Sequence, residues 1–287
     1  MNGTVLSSRA LLSAYEPSVG ERVLAIGVAV VSVFLLGALA PFAKESLPPV
    51  AGFLPVYQSL VVLCDAVTAA LFFREFRLLG TRPLLILGGA YVFSAAMAVE
   101  HALSFPGLFA PSGLLGSGPQ TTVWLYFIWH LGFPAALIAY SLEAGKAPAA
   151  VPRRDAGKAV AVAAVTGCLA AVAAMFLCTT GEPLLPTLMQ GNGDLPAKYA
   201  VAAFNCAVIF AGLVLLGRRA GRSAIDLWLM VVGLAWLCDV ALAAVFNAGR
   251  YSLGWYAGRV YGLLAAAFVL GVLAWRAGGL RHAPAAR

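Results

Sequence analysis

Charge is scarce in this sequence: Asp, Glu, Lys and Arg supply 11% of 287 residues, against 62% hydrophobic residues and a mean hydropathy of +0.90. That balance excludes an ordinary soluble domain, in which about a quarter of the residues are charged. Catalytic signatures are missing as well. There is no nucleophile–base motif, phosphate loop or soluble catalytic domain, so the chain is not expected to be an enzyme. The five cysteines (Cys64, Cys168, Cys178, Cys206, Cys238) all fall in apolar stretches, without the paired spacing of a metal site or a disulfide framework. They read as small buried side chains. No metal and no cofactor is expected. Period-two alternation over ten-residue segments is absent, which argues against a barrel.

What is present is a series of eight apolar runs, at 23–43, 54–73, 83–104, 122–142, 159–179, 198–217, 224–246 and 253–275. Each is about 20 residues, the length of a spanning helix. The expected fold is an all-α integral membrane bundle of about eight helices. It divides into a leader (1–22), a membrane domain (23–275) and a short basic tail (276–287). Ala38 and Ala40 resemble a cleavage site, but the polar leader is long and Pro41 would follow the cut, so the first run is expected to be a retained helix.

The basic residues orient the bundle. One set of connections collects Arg9, Arg22, Arg74, Arg77, Arg82, Lys146, Arg153, Arg154, Lys158, Arg218, Arg219, Arg222, Arg276, Arg281 and Arg287, while the other holds Lys44, Lys198 and Arg250. Fifteen against three is a positive-inside bias that puts both termini in the cytoplasm. It also assigns the net charge of +7 to topology, so no nucleic-acid partner is expected. The inside link 143–158 is the best boundary between two four-helix halves, although no convincing sequence repeat relates them.

Function is expected around Val99 to Pro134, VEHALSFPGLFAPSGLLGSGPQTTVWLYFIWHLGFP, which sets Glu100, His101 and His130 about one Gly/Pro-rich loop. Ionisable groups inside a bilayer are costly and usually face a protein interior. At about 1.5 Å per residue, Glu100, His101, His130, Asp239 and Arg259 all fall in the outer half. Arg259 is therefore expected to pair with Glu100 or Asp239, and to lie against Trp255 one turn away. Tyr126, Trp129, His130 and Phe133 share one helical face, and Pro134 frees the carbonyl of His130. Leu108, Phe109, Leu114 and Leu115 make the Gly/Pro loop a candidate lid, and the connection from Thr179 to Pro196 a candidate cap. Asp65 and Asp226 read as structural. Gly258 and Gly262 should permit close helix approach.

The same segment, together with SLGWYAGRVYGLLAA, resembles the fourth type of the MASE family, the membrane-associated sensor domains of bacterial signalling proteins. The resemblance implies a multi-pass input module of the inner membrane, commonly ahead of a GGDEF diguanylate cyclase or a histidine kinase. It carries a sensing role onto Glu100, His101, Trp129, His130, Pro134, Trp255, Tyr256 and Arg259, and no catalytic role. Only RAGGLRHAPAAR follows Trp275, too short for an output domain, so a stand-alone sensor is expected. The expected ligand site is Glu100, His101, Tyr126, Trp129, His130, Asp239, Trp255, Tyr256 and Arg259. Its expected partners are lipids, a small ligand, a signalling protein acting in trans, and a second copy of the chain. The alternative is a small-molecule transporter, or an intramembrane redox protein with haem between His101 and His130.

Overall fold

The computed structural model describes residues 16–146, 150–219 and 223–282, with side chains described as far as 274. Residues 1–15 of the leader and 283–287 of the tail therefore lie outside the described residues. Among the described residues, eight helices are long and apolar enough to cross a membrane. They are α1 (Val19–Leu39), α2 (Phe53–Leu79), α3 (Arg82–Ser104), α4 (Thr121–Glu143), α5 (Ala156–Thr179), α6 (Pro196–Gly217), α7 (Ala224–Val240) and α8 (Leu253–His282). All eight apolar runs are thus helical, and α7 continues as a π-helical stretch, Ala241–Phe246, which the sequence did not announce.

Local chemistry sets the helix ends. Ser18 and Glu21 form a reciprocal capping box ahead of α1. Ser223 accepts the Asp226 amide at the start of α7. Pro83 and Pro196 stand in the first turns of α3 and α6, where the missing N–H costs nothing.

Six helices form a closed ring in the order α2, α3, α4, α6, α7, α8, each packed on the next. The remaining two sit outside it, α1 against α7 and α5 against α3. Shifting every label by four helices reproduces these pairings, so the halves α1–α4 and α5–α8 repeat in packing, although no sequence repeat relates them. Because the shift is even, the repeat is parallel rather than inverted. The outward sides of α1 and α5 expose Val23, Ile26, Phe34, Val165 and Leu169. Such apolar surface suits lipid tails. Inside the ring lie the buried polar residues Gln58, Asp65, Ser94, His101, His130, Asp239 and Arg259.

The connections gather on two faces. On one, Ser46 bridges to Ser252, and a two-stranded hairpin, β1 (Met189–Gln190) with β2 (Gly193–Asp194), bridges to Gly249. The opposite face, near the chain termini, joins Thr81 to Ala150.

Candidate functional site

Beneath the hairpin lies a cavity of about 30 Å³, enough for one or two waters. His101 of α3, Phe105 just beyond its end, Thr122 and Tyr126 of α4, and Lys198 of α6 line one part of it. Asn247, Gly249 and Arg250 come from the connection between the π-helical stretch and α8, Trp255 and Arg259 from α8, and Met189 and Asp194 from the hairpin. The hairpin is fixed there from two sides. The Gln120 side chain donates to the Met189 carbonyl at 2.8 Å and accepts from the Leu188 and Met189 amides. The Arg250 amide donates to the Asn192 carbonyl at 2.9 Å. Gly249 permits this approach: its φ is +133°, and a Cβ there would overlap the Asn192 carbonyl. The cap is thus the segment expected around Thr179 to Pro196. The Gly/Pro loop is not a lid, since Phe109, Leu114 and Leu115 are exposed and none of them lines the cavity.

Three cations face this space. Lys198 Nζ donates to Asp194 Oδ2 at 2.5 Å and to Asn247 Oδ1 at 2.9 Å. Burial pushes the Asp194 carboxyl above its ordinary value, against the opposing pull of Lys198. Arg250 donates to Thr122 Oγ1 at 2.6 Å and lies over the Phe105 ring at 5.2 Å. Its guanidinium is pulled below its ordinary value by burial first, opposed by Tyr251 and reinforced by the positive charge of Arg259. Arg259 stacks on Trp255 at 3.7 Å, as expected, and donates to the Trp255 carbonyl at 2.9 Å.

The expected ion pair of Arg259 is not formed. Among the described residues no carboxylate lies within 4.0 Å of its guanidinium. Asp239 is instead engaged across the ring by α4: His130 Nε2 lies 3.0 Å from Oδ2, and the Tyr126 hydroxyl donates to Oδ1 at 3.1 Å. His130 Nδ1 lies 2.7 Å from the Tyr126 carbonyl. A carbonyl only accepts, so Nδ1 carries a hydrogen, and the Nε2–Oδ2 contact needs a second one. The pair is therefore imidazolium with carboxylate, or imidazole with carboxylic acid, and its net charge is zero either way.

The other expected residues separate. His101 Nδ1 lies 2.5 Å from Gln58 Nε2; an amide NH₂ only donates, so this nitrogen accepts and the ring carries its proton on Nε2. Trp129 donates to Ser94 Oγ at 2.8 Å and borders a smaller void near Asp65, outside the cavity lining. Glu100 is not at the site: it is half-buried, outside the cavity lining, and its Oε2 has no hydrogen-bond partner among the described residues. Tyr256 is not there either, because its hydroxyl donates to the Pro48 carbonyl and accepts from the Val50 amide, fastening the α1–α2 connection. Both ring nitrogens of His130 are occupied, so this arrangement does not fit an axial haem ligand.

Sequence reasoning missed Thr122, Asp194, Lys198, Asn247 and Arg250. The one signal was the spacing of Asp194 and Lys198, which allows an i, i+4 pair.

A second polar cluster sits near the termini face. The Tyr140 hydroxyl donates to Asp226 Oδ1 at 2.8 Å, and Arg219 Nε lies 3.4 Å from the same oxygen. Helices α4 and α7 are thus tied twice, by Tyr126 and His130 to Asp239 and by Tyr140 to Asp226, with Pro134 between the ties on α4. Stacked Phe133 and Trp236, with ring centroids 5.0 Å apart, fill the layer between them.

No curated protein and no solved structure matches the chain. A family model does match residues 48–277, beginning after α1, and its description is MASE4, membrane-associated sensor, integral membrane domain. Because the match takes in most of the 287 residues, including the helices of the ring, α8 as far as 277, and the whole cavity, the chain belongs to the MASE4 family of integral membrane sensor domains.

Proposed function

We propose that this chain senses a small ligand in the capped cavity, on the outer side of the bacterial cytoplasmic membrane, and passes the change to a cytoplasmic signalling partner through α4 and α7. The double tie between these helices carries the reading. A ligand that moves Tyr126 pulls on Asp239, and the two helices cannot shift at one end without loading Tyr140 and Asp226 at the other. The π-helical stretch after Val240 and the proline in α4 supply places where each helix can adjust without breaking. The aromatic layer of Tyr91, Phe133 and Trp236 separates the clusters, which supports a pocket closed below rather than a transport path.

Hydrogen exchange measured by mass spectrometry tests the coupling. Asp239→Asn is expected to speed amide exchange at 140–146 and 216–230 as well as near the cavity. A change confined to the cavity side would sink the relay. Orientation is tested separately by reporter fusions: positions 115 and 188 are expected to read as outside, and position 146 as cytoplasmic. Reversed activities would move the cavity to the inner side.

A further inference from the structure

The charges around the cavity do not balance. Lys198 and Asp194 cancel as a pair, and so do His130 and Asp239 behind Tyr126, whichever of the two holds the proton. His101 accepts at Nδ1 and is neutral. Arg250 and Arg259 remain, two guanidiniums lining one cavity with no carboxylate within 4.0 Å of either among the described residues. Aromatic faces and single oxygen acceptors hold them, through Phe105 and Thr122 for Arg250, and Trp255 for Arg259. Such contacts position a guanidinium but leave its charge uncancelled, and each fork retains N–H groups with no acceptor among the described residues.

We propose that the cavity binds a small anion, a carboxylate or inorganic oxyanion, held between the Arg250 and Arg259 guanidiniums. This rests on the reading of the cavity as the sensing site and adds the chemistry of the occupant. The planar fork of arginine matches two oxygens of a carboxylate or phosphate group, and it does so best where water is excluded. The volume of about 30 Å³ limits the group to a few heavy atoms. Thr122 Oγ1 accepts from Arg250 and so fixes one of the two cations that receive it. The occupant links α4, through Thr122, to α8, through Arg259, and so bears on Tyr126, over whose ring Arg259 lies at 5.9 Å.

The test is thermal unfolding of the purified full chain in detergent, titrated with sodium acetate, inorganic phosphate, uncharged acetamide and dihexanoyl phosphatidylglycerol. Acetate or phosphate is expected to raise Tm saturably while acetamide does not. Arg250→Gln and Arg259→Gln should each weaken the apparent affinity by about tenfold or more, the scale of one charge-assisted contact. Arg250→Lys and Lys44→Gln, the second a basic residue of the same face outside the cavity, should retain a response. If Arg259→Gln fails to fold, the Arg250→Gln and Arg250→Lys pair decides alone. A response to the phospholipid only would keep the anion and make a lipid headgroup its source. No response to any of the anions, an equal response to acetamide, or unchanged affinity in Arg250→Gln overturns the inference. In those cases the hydrogen-exchange result for Asp239→Asn still stands or falls by itself, so failure of the anion is separable from failure of the sensor.

Discussion

Asp239→Ala is expected to cost about 3–5 kcal/mol of stability, the scale on which removing one partner of a buried pair leaves the other uncompensated. The carboxylate is 1% exposed and receives both Tyr126 and His130. Without it, Nε2 of His130 faces an apolar gap and Tyr126 loses its acceptor. Asp239→Asn keeps an acceptor for the tyrosine hydroxyl and the shape of the side chain, so its cost should be well under half. Both are read from unfolding in detergent at fixed lipid content. Asp239→Ala falling within about 1 kcal/mol of wild type would mean that α4 and α7 are not held together by this pair, and the proposed relay would lose its outer tie.

The second large effect is steric. Gly254, Gly258 and Gly262 recur every four residues along α8 and turn one face toward α7. A Cβ on Gly258 would lie 2.6 Å from Ala243 Cβ, 2.8 Å from Asp239 Oδ1 and 2.9 Å from the Asp239 carbonyl. Two of those atoms belong to the backbone or to an engaged carboxylate and cannot swing aside. Gly258→Ala should therefore destabilise by about 1–3 kcal/mol through overpacking. Gly271, on the same helix, has nothing within 4 Å of its added Cβ. There, Gly→Ala should be neutral or stabilising by up to about 1 kcal/mol, because alanine costs less to order in a helix. The opposite signs are the prediction. Two substitutions of equal effect would show that the close approach of α8 to α7 is not maintained in the membrane. Since Gly258 presses on Asp239, its alanine variant should also weaken the response of the cavity to added anion.

The sequence alone determined the number of apolar spans, their approximate ends and the position of each charged group along its helix. Hydropathy accumulates along one helix at a time, and position along a helix follows from a fixed rise per residue, so neither needs a neighbour. It also named His130, Asp239, Tyr126, Trp255 and Arg259, which the structure links in one chain of contacts across α4, α7 and α8.

Only the tertiary structure decided which of these side chains share a space. Adjacent residues on a helix point about 100° apart, at 3.6 residues per turn, so two neighbours at equal depth need not face the same interior. His101 turns inward to Gln58 while Glu100, beside it, stays out of the cavity. Trp255 lines the cavity, and Tyr256 points to the α1–α2 connection. The same rotation put Arg259 on Trp255 rather than beside Asp239, whose oxygens α4 had already taken. Arg250 and Lys198 read from the sequence as ordinary outside charges. They became part of the site because the hairpin folds over the end of α8, and that contact joins segments more than fifty residues apart, which no pattern along the chain records.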